Sequence, residues 1–155
     1  MKKLLINIIA LTLVSSALSA AELYVKVVPQ SISDVELSLD ESFAQHKLKQ
    51  VAEVDVLAKM IKAGLPKKMG SHWNTSKLTG FKSIIVCNGK LGMNIANINP
   101  MYAGVCPIKI TMMEHKLGTA ITYMKTAGDT KDIALEKALK ALDDKVVSAI
   151  ANADY

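Results

Sequence analysis

Two cysteines are the side chains of this sequence that could take part in the most kinds of chemistry. Cys87 ends an apolar run, and Cys106 stands directly before Pro107 at the start of another. In an oxidising compartment two cysteines commonly pair, so a Cys87–Cys106 disulfide is the first interpretation. The second is a pair of buried thiols, because free cysteine behaves as a small hydrophobic residue.

Two further interpretations make the sulfur atoms reactive. Thiolates and thioethers together suit Cu(I), and Met93 and Met112 are weak candidate ligands beside the two cysteines. A redox-active thiol pair is the other interpretation. Against it, the chain has no Cys-x-x-Cys motif, and only Lys90 is a neighbouring cation that could lower a thiol pKa. The sequence identifies no cofactor.

The turn that follows Cys87 is the candidate ligand site. Asn88 can cap the next helix, and the backbone N–H groups behind Gly89 can face an anion. A plain strand-to-helix turn is the simpler alternative, because two nearby glycines are a weak signal. The candidate ligand-binding residues are Cys87, Asn88, Gly89, Lys90, Cys106 and Pro107.

Motifs of known catalytic sites are missing from the sequence. His46, His72 and His115 do not share metal-ligand spacing, and neither a Gly-x-Ser-x-Gly elbow nor a P-loop occurs. His72 with Trp73 could form a binding lip, although a lone tryptophan more often anchors a loop. We therefore expect a non-enzymatic binding domain for an unknown small ligand. The alternatives are a thiol–disulfide redox or copper accessory protein and a structural homodimeric module.

The N-terminus has the layout of a secretory signal peptide. Lys2 and Lys3 precede an apolar run over 4–14, and small residues fill 15–21 around Leu18. The run is shorter than the ~20 residues that span a bilayer. We expect a signal peptide over 1–20, a single domain over 21–155, and a periplasmic or secreted protein with no membrane attachment after cleavage.

Charge and composition argue against a nucleic-acid partner. The whole chain has 19 basic and 14 acidic residues; without Lys2 and Lys3, 17 basic residues face 14 acidic ones and the net charge is +3. Every basic residue is lysine, so the arginine fork that binds phosphates and guanine edges is missing. Two phenylalanines and one tryptophan leave few rings to stack on bases.

Hydrophobic periodicity predicts strands and helices in alternation. Ser33 with Glu36 forms a capping box, Asp129 can cap the last helix, and Ala52, Val54 and Val56 should face the core while Glu53 and Asp55 face water. The pattern indicates an α+β fold with a mixed, mostly antiparallel sheet, helices packed on one face, and the order β-α-β-β-α-β-β-α. The predicted elements are strand 23–28, a helix to about 48, strand 52–56, helix 57–63, a long loop over 65–80, strand 81–86, helix 90–99, strand 108–113, a turn at 116–118, strand 119–125 and a final helix with the stripe Leu135, Leu139, Leu142, Val146 and Ile150.

The two cysteine segments resemble the domain of unknown function 302 family. In that family a strand runs into Cys-Asn-Pro-Lys-Leu-Ala, a helix follows, and Pro-Cys leads into the next strand. The matching segments here are Cys87-Asn88-Gly89-Lys90-Leu91-Gly92 and Cys106-Pro107, with glycine in place of the first proline and the second pair in reverse order. The resemblance covers about 35–151. It implies an α+β fold and a possible homodimer, and it supplies no reaction and no catalytic residues.

Overall fold

The computed structural model describes residues 22–128 and 130–155. The predicted signal peptide therefore lies outside the described residues. Along the described chain, the strands are β1 (Leu23–Val28), β2 (Lys49–Asp55), β3 (Gly80–Cys87), β4 (Ile108–His115) and β5 (Gly118–Met124), and the helices are α1 (Ile32–Gln45), α2 (Val56–Lys62), α3 (Leu65–Met69), α4 (Gly89–Ile98) and α5 (Ile133–Ala151). Short 3₁₀ turns cover Gly70–His72 and Pro100–Val105.

The five strands form one sheet in the order β1-β5-β4-β3-β2, and every neighbouring pair is antiparallel. Setting aside the short α2 and α3, the longer elements follow the predicted order β-α-β-β-α-β-β-α. The predicted α+β fold is confirmed. Among the described residues, no helix is long and apolar enough to cross a membrane.

The core lies between one face of the sheet and the helices α1 and α5. Two helical stripes predicted from the sequence are buried there, namely Val35, Leu39 and Phe43 of α1 and Leu135, Leu139, Leu142, Val146 and Ile150 of α5. Alternate residues of the central strands meet them, including Ile84, Val86, Ile110, Met112 and Ile121. Each fully buried side chain of this kind contributes roughly 1.5–3 kcal/mol, so the two stripes hold the helices to the sheet.

The other side of the sheet, which we call the open face, is also largely apolar. Strand register places alternate residues on it, because successive side chains of a strand point to opposite faces. Its residues are Leu23, Val25, Val27, Lys49, Ala52, Val54, Phe81, Ser83, Ile85, Cys87, Lys109, Thr111, Met113, His115, Gly118, Ala120, Thr122 and Met124.

Strand β2 corrects the predicted side of its apolar residues. Glu53 pairs with the buried Ile84, so the carboxylate lies on the helix side, whereas Ala52 and Val54 lie on the open face. Lys82 explains this placement, because its Nζ bonds Glu53 Oε1 at 3.0 Å at the edge of the helix layer. The expected inward position of Val56 is also wrong, since that residue begins α2.

The predicted caps of α1 and α5 lie at other residues. Ser31, not Ser33, caps α1, because its Oγ accepts the Asp34 N–H. The α5 cap is Asp132, whose Oδ1 accepts the Ala134 and Leu135 N–H groups; Asp129 itself lies outside the described residues.

The end of α1 comes earlier than predicted, and the expected long loop contains helices. Lys47 adopts a positive φ of 56° and the Leu48 N–H returns to the Phe43 carbonyl at 2.9 Å, which terminates α1 after Gln45. In the region predicted as a loop over 65–80, Pro66 stands in the first turn of α3, where a missing N–H costs nothing.

The first strand is tied to the end of the chain. Lys26 of β1 donates from Nζ to the Ala151 carbonyl at 2.9 Å, and the same Nζ lies 4.3 Å from the centroid of the Tyr155 ring. A cation at the carboxyl end of α5 is favourable for the helix dipole. This edge strand therefore depends on contacts with the last helix and the final residue.

Candidate functional site

Cys87 and Cys106 form a disulfide, with Cα atoms 5.7 Å apart. The bond joins the end of β3 to the segment that enters β4, and it closes a loop with a sequence separation of 19 that contains α4. A loop of this length stabilises the fold by about 3 kcal/mol in the chain-entropy model. The first of the four sequence-based interpretations thus describes the structure.

Gly92 leaves the room that the disulfide needs against α4. A Cβ added at this position would lie 3.0 Å from Cβ and 3.2 Å from Sγ of Cys106. Neither atom can move freely, because the bond fixes both to β3. Glycine at position 92 therefore allows Cys106 to lie close to the backbone of α4.

Asn88 is buried and uses both ends of its amide within the protein. Its Oδ1 accepts the Leu91 N–H at 3.0 Å, so Asn88 caps α4 as predicted. Its Nδ2 donates to the Lys47 carbonyl at 2.9 Å, which connects this turn to the one between α1 and β2. Gly89 and Lys90 are exposed beside it.

The methionines considered as copper ligands are not gathered at the sulfur atoms. Met112 lies in the core and pairs with Lys82, five residues before Cys87 along β3, which corresponds to about 17 Å. Met93 is exposed on α4. Within 22–128 and 130–155, no group of three or more His, Cys, Asp or Glu side chains is placed to hold a metal ion.

A buried carboxylate in α5, Asp143, was not predicted from the sequence. Asp143 accepts four groups: the Tyr123 hydroxyl at 2.5 Å, the Thr126 hydroxyl at 2.9 Å, the Thr126 N–H at 2.9 Å and the Ala127 N–H at 2.8 Å. Burial, and then the charge and hydrogen bond of Asp143, raise the pKa of Tyr123 far above its usual range. Because donors of the protein itself bind both carboxylate oxygens, Asp143 anchors the connection between β5 and α5. Asp143 stands four residues after Leu139, on the same face of the helix as the apolar stripe, and this position could have indicated its burial.

A second polar cluster lies at the edge of the helix layer. Lys82 Nζ lies 2.8 Å from Glu36 Oε2 and 3.0 Å from Glu53 Oε1. Burial is the main cause that raises the pKa of Glu36, and the hydrogen bond from Glu36 raises the pKa of Lys82. This cluster joins α1, β2 and β3 and explains why Glu53 faces the helices.

An apolar pocket of about 250 Å³ opens in the connection between β2 and β3, and we call it the Trp73 pocket. Its apolar lining consists of Leu57, Met60, Leu65, Met69, Trp73, Leu78 and Phe81, and its polar lining consists of His72, Asn74, Thr75 and Ser76. The region predicted as a long loop thus forms a cavity. The predicted lip of His72 and Trp73 belongs to its wall.

Asn74 shapes this pocket and uses both ends of its amide within its own turn. Its Nδ2 donates to the Leu78 carbonyl at 2.9 Å, and its Oδ1 accepts the Leu78 N–H at 2.8 Å. The residue adopts a positive φ of 46°, a conformation that asparagine tolerates better than most residues. The two bonds close the turn from Asn74 to Leu78, which directly follows Trp73.

The fold and the cysteine pair define a class: a small α+β domain with one antiparallel sheet, the long helices α1 and α5 on one face, and a single disulfide among its described residues. The chain belongs to the family described as domain of unknown function DUF302, which it matches over residues 24–153. The resemblance inferred from the cysteine segments is confirmed. That family is uncharacterised, so activity must be argued from the site.

A solved structure shares this fold. The uncharacterized conserved DUF302 protein from Bacillus stearothermophilus superposes with a TM-score of 0.72 at 18% sequence identity, over 85% of this chain and 98% of that one. Likeness at this identity concerns the fold alone. We found no match among curated proteins.

Proposed function

We propose that this protein is a small exported, non-enzymatic binding domain whose ligand is an uncharged apolar molecule in the Trp73 pocket. The observation that supports this most directly is the pocket lining, which is mainly aliphatic and aromatic. Ligand sites of proteins are typically concave and apolar with a few polar groups. The Trp73 pocket has this composition.

The size of the pocket limits the ligand. A dry cavity of roughly 150 Å³ lined by Leu, Ile and Phe holds benzene, and sites for drug-sized molecules begin at roughly 300 Å³. The Trp73 pocket, at about 250 Å³, lies between them. A single ring system or an alkyl chain of moderate length fits this space.

The polar groups of the lining favour an uncharged ligand with one polar end. His72, Thr75 and Ser76 offer a ring nitrogen and hydroxyl groups, and neither a lysine nor a carboxylate belongs to the lining. An ionised ligand group would lose its hydration without gaining an opposite charge. A hydroxyl or carbonyl group could instead bond to one of these side chains.

The cysteine turn supports the fold more clearly than it supports a ligand. Both ends of the Asn88 amide are engaged, and the two thiols are joined. The turn stays a prediction as a binding site, and the Trp73 pocket is the location that we favour. The disulfide is compatible with the oxidising compartment that the predicted signal peptide implies.

Trp73 provides the measurement, because it is the only tryptophan in the chain. We suggest titrating the purified protein with 1-octanol and following tryptophan emission. Displacement of water from the pocket should produce a blue shift that saturates with concentration. A shift that only rises in proportion to added alcohol, as for free tryptophan, would argue against the pocket as a binding site.

A pair of matched variants locates the effect. Met69→Asp places a carboxylate in the wall of the pocket at a residue that is already partly exposed, so the fold should tolerate it. Met101→Asp makes the same change at a residue that is 89% exposed and lies outside the pocket lining. Weakened octanol binding in the first variant and unchanged binding in the second is the expected result. Equal affinities would place the alcohol elsewhere.

A further inference from the structure

We propose that the mouth of the Trp73 pocket binds a soft monovalent metal ion, Cu(I), through two thioethers and one imidazole. Met60, Met69 and His72 all line this pocket, and the indole of Trp73 lines it with them. Thioether sulfur selects Cu(I), and imidazole nitrogen suits copper. This set of donors differs from the one considered beside the two cysteines.

The three donor residues lie where the pocket meets water. Met69 is 43% exposed, His72 is exposed and Met60 is half-buried. An ion can therefore reach the sulfur and nitrogen atoms without opening the core. Trp73 is half-buried at the same place, so its ring has one side toward the protein and remains accessible from the pocket.

A tight reversal of the backbone brings three of these residues to one cavity. Met69 ends α3, and the 3₁₀ turn Gly70–His72 follows directly. Gly70 adopts a φ of 54°, in the region that favours glycine, and its carbonyl accepts the Trp73 N–H at 3.1 Å. Met60 reaches the same cavity from α2, so the proposed ligand set joins two helices and the turn between them and β3.

The dimensions of the pocket allow the three donor atoms to meet at one ion. Metal–sulfur and metal–nitrogen bonds of about 2.0–2.3 Å place the donors of a three-coordinate site roughly 4 Å apart. A compact cavity of about 250 Å³ is on the order of 8 Å across. The unbranched methionine side chain has three rotatable bonds, which can close the remaining distance.

The charges around the pocket favour a soft ion over a hard one. Among the described residues, the lining includes no carboxylate, whereas Ca²⁺ and Mg²⁺ are held mainly by carboxylate and carbonyl oxygens. Neutral sulfur and nitrogen donors instead offset the lost hydration of Cu(I) through coordinate bonds. Lys67 and Lys68 precede Met69, but both are exposed and lie outside the lining, so water and salt screen their charges.

Trp73 adds an attraction for a cation that needs no carboxylate. A cation within about 6 Å of the centre of an aromatic ring is attracted by the negative face of the ring, and tryptophan provides the strongest such interaction. Phe81 places a second ring in the lining. The indole also makes metal binding measurable, because a bound heavy ion quenches its emission.

The disulfide leaves methionine as the available sulfur donor. Cys87 and Cys106 are joined to each other, so neither offers a thiolate to a metal. Thioethers remain donors under conditions in which thiols pair. The proposed metal site therefore goes beyond the apolar ligand of the same pocket and does not depend on it.

The test uses Ag(I), a soft monovalent ion that needs no reductant and so leaves the disulfide intact. We suggest titrating the purified oxidised protein in chloride-free buffer and following the emission of Trp73, the only tryptophan. One equivalent of Ag(I) should quench the emission to saturation, and Zn(II) should bind far more weakly. Emission that Ag(I) leaves unchanged, or that Zn(II) quenches with equal affinity, would overturn the proposal.

Leucine substitutions identify the donors. Met60→Leu with Met69→Leu removes both thioethers and nearly conserves volume, so the circular dichroism spectrum should be retained. Losing even a group that only orients a metal ligand weakens binding by roughly 10–100-fold, so the Ag(I) affinity should fall at least about tenfold. His72→Gln should also weaken Ag(I) binding. Met93→Leu with Met101→Leu is the matched control, because both methionines are exposed and lie outside the lining. Equal Ag(I) affinities in the two double variants would overturn the proposal.

1-Octanol separates this proposal from the apolar ligand. The variant with leucine at positions 60 and 69 keeps an apolar pocket, so its octanol affinity should match that of wild type. A wild-type protein that binds octanol and not Ag(I) would overturn the metal site alone. A wild-type protein that binds Ag(I) and not octanol would support the metal site and overturn the apolar ligand.

Discussion

The Tyr123 hydroxyl donates to Asp143 Oδ1 at 2.5 Å inside the core, and this bond links the last strand to the last helix. Asp143 belongs to the buried side of α5, and Tyr123 points to the same side from β5. The connection between the two elements is held by the same carboxylate through Thr126 and Ala127. The pair therefore holds the middle of α5 against the end of β5.

Asp143→Asn should be among the most destabilising near-isosteric changes in this chain. The substituted amide turns two hydrogens toward groups that are themselves donors, so buried N–H and O–H groups lose their acceptor. We expect a loss of about 2–4 kcal/mol in the free energy of unfolding, measured by chemical denaturation. Asp144→Asn is the control: it removes an exposed pair with Lys140, which water screens, and should cost far less than Asp143→Asn. Similar losses in the two variants would contradict the anchoring role of Asp143.

Stability should fall at alkaline pH through Tyr123. Its pKa in the folded state is raised above the unfolded value near 10, first by burial and then by Asp143. Above that unfolded value the folded state binds more protons than the unfolded state, so stability is complete below pH ~10 and declines as the pH rises further. Tyr123→Phe should flatten the decline, measured as unfolding free energy between pH 8 and 11. A Phe variant that declines as steeply as wild type would assign the effect to other groups.

Replacing both cysteines by serine should separate stability from binding. Cys87→Ser with Cys106→Ser should lower the free energy of unfolding by about 3 kcal/mol, because the unfolded chain regains loop entropy. Under conditions where the variant is folded, its affinity for 1-octanol should equal that of wild type, because neither cysteine lines the Trp73 pocket. If octanol binding disappears while the fold persists, the cysteine turn takes part in the site after all.

Gly92→Ala should destabilise the protein although alanine favours helices. In an open helix position this change stabilises by up to ~1 kcal/mol, but here the added Cβ would lie 3.0 Å from Cβ of Cys106. We expect a net loss of about 1–3 kcal/mol, as for other overpacked positions. Gly89→Ala in the same helix meets no atom within 4 Å and serves as the control, with a neutral or slightly favourable effect. Thermal melts of the two oxidised proteins would compare them directly.

Hydrophobic periodicity correctly predicted the elements in which the apolar residues lie on one side and face the core. The stripe from Leu135 to Ile150 and the alternation of Ile108, Ile110 and Met112 are buried as expected, because their spacing matches one face of a helix or strand. In β2 the same reasoning gave the wrong side. Alternation shows that a strand has two faces, and it does not show which face the helices cover when both can be apolar.

The disulfide and the cap of α4 were predicted from the sequence, whereas the tertiary contacts around them and the Trp73 pocket were not. The positions of Cys87 and Cys106 at strand ends, together with the cap by Asn88, could be inferred from neighbouring residues. The bond from Asn88 to Lys47 depends on how α1 meets β2, and no local pattern encodes that contact. The Trp73 pocket depends in the same way on the packing of α2 and α3 against Phe81, so its residues were visible only as an irregular stretch.

The anchoring of Lys26 on the end of α5 sets an order of events for the growing chain. Residues 23–28 are synthesised first, but their partners are β5 and the carbonyl of Ala151, the latter 125 positions later. The sheet therefore cannot add β1 until β5 has been synthesised, and contacts this distant in sequence form slowly. The Lys26 anchor on Ala151 forms later still, so the first strand to be synthesised is among the last elements to be fixed in the fold.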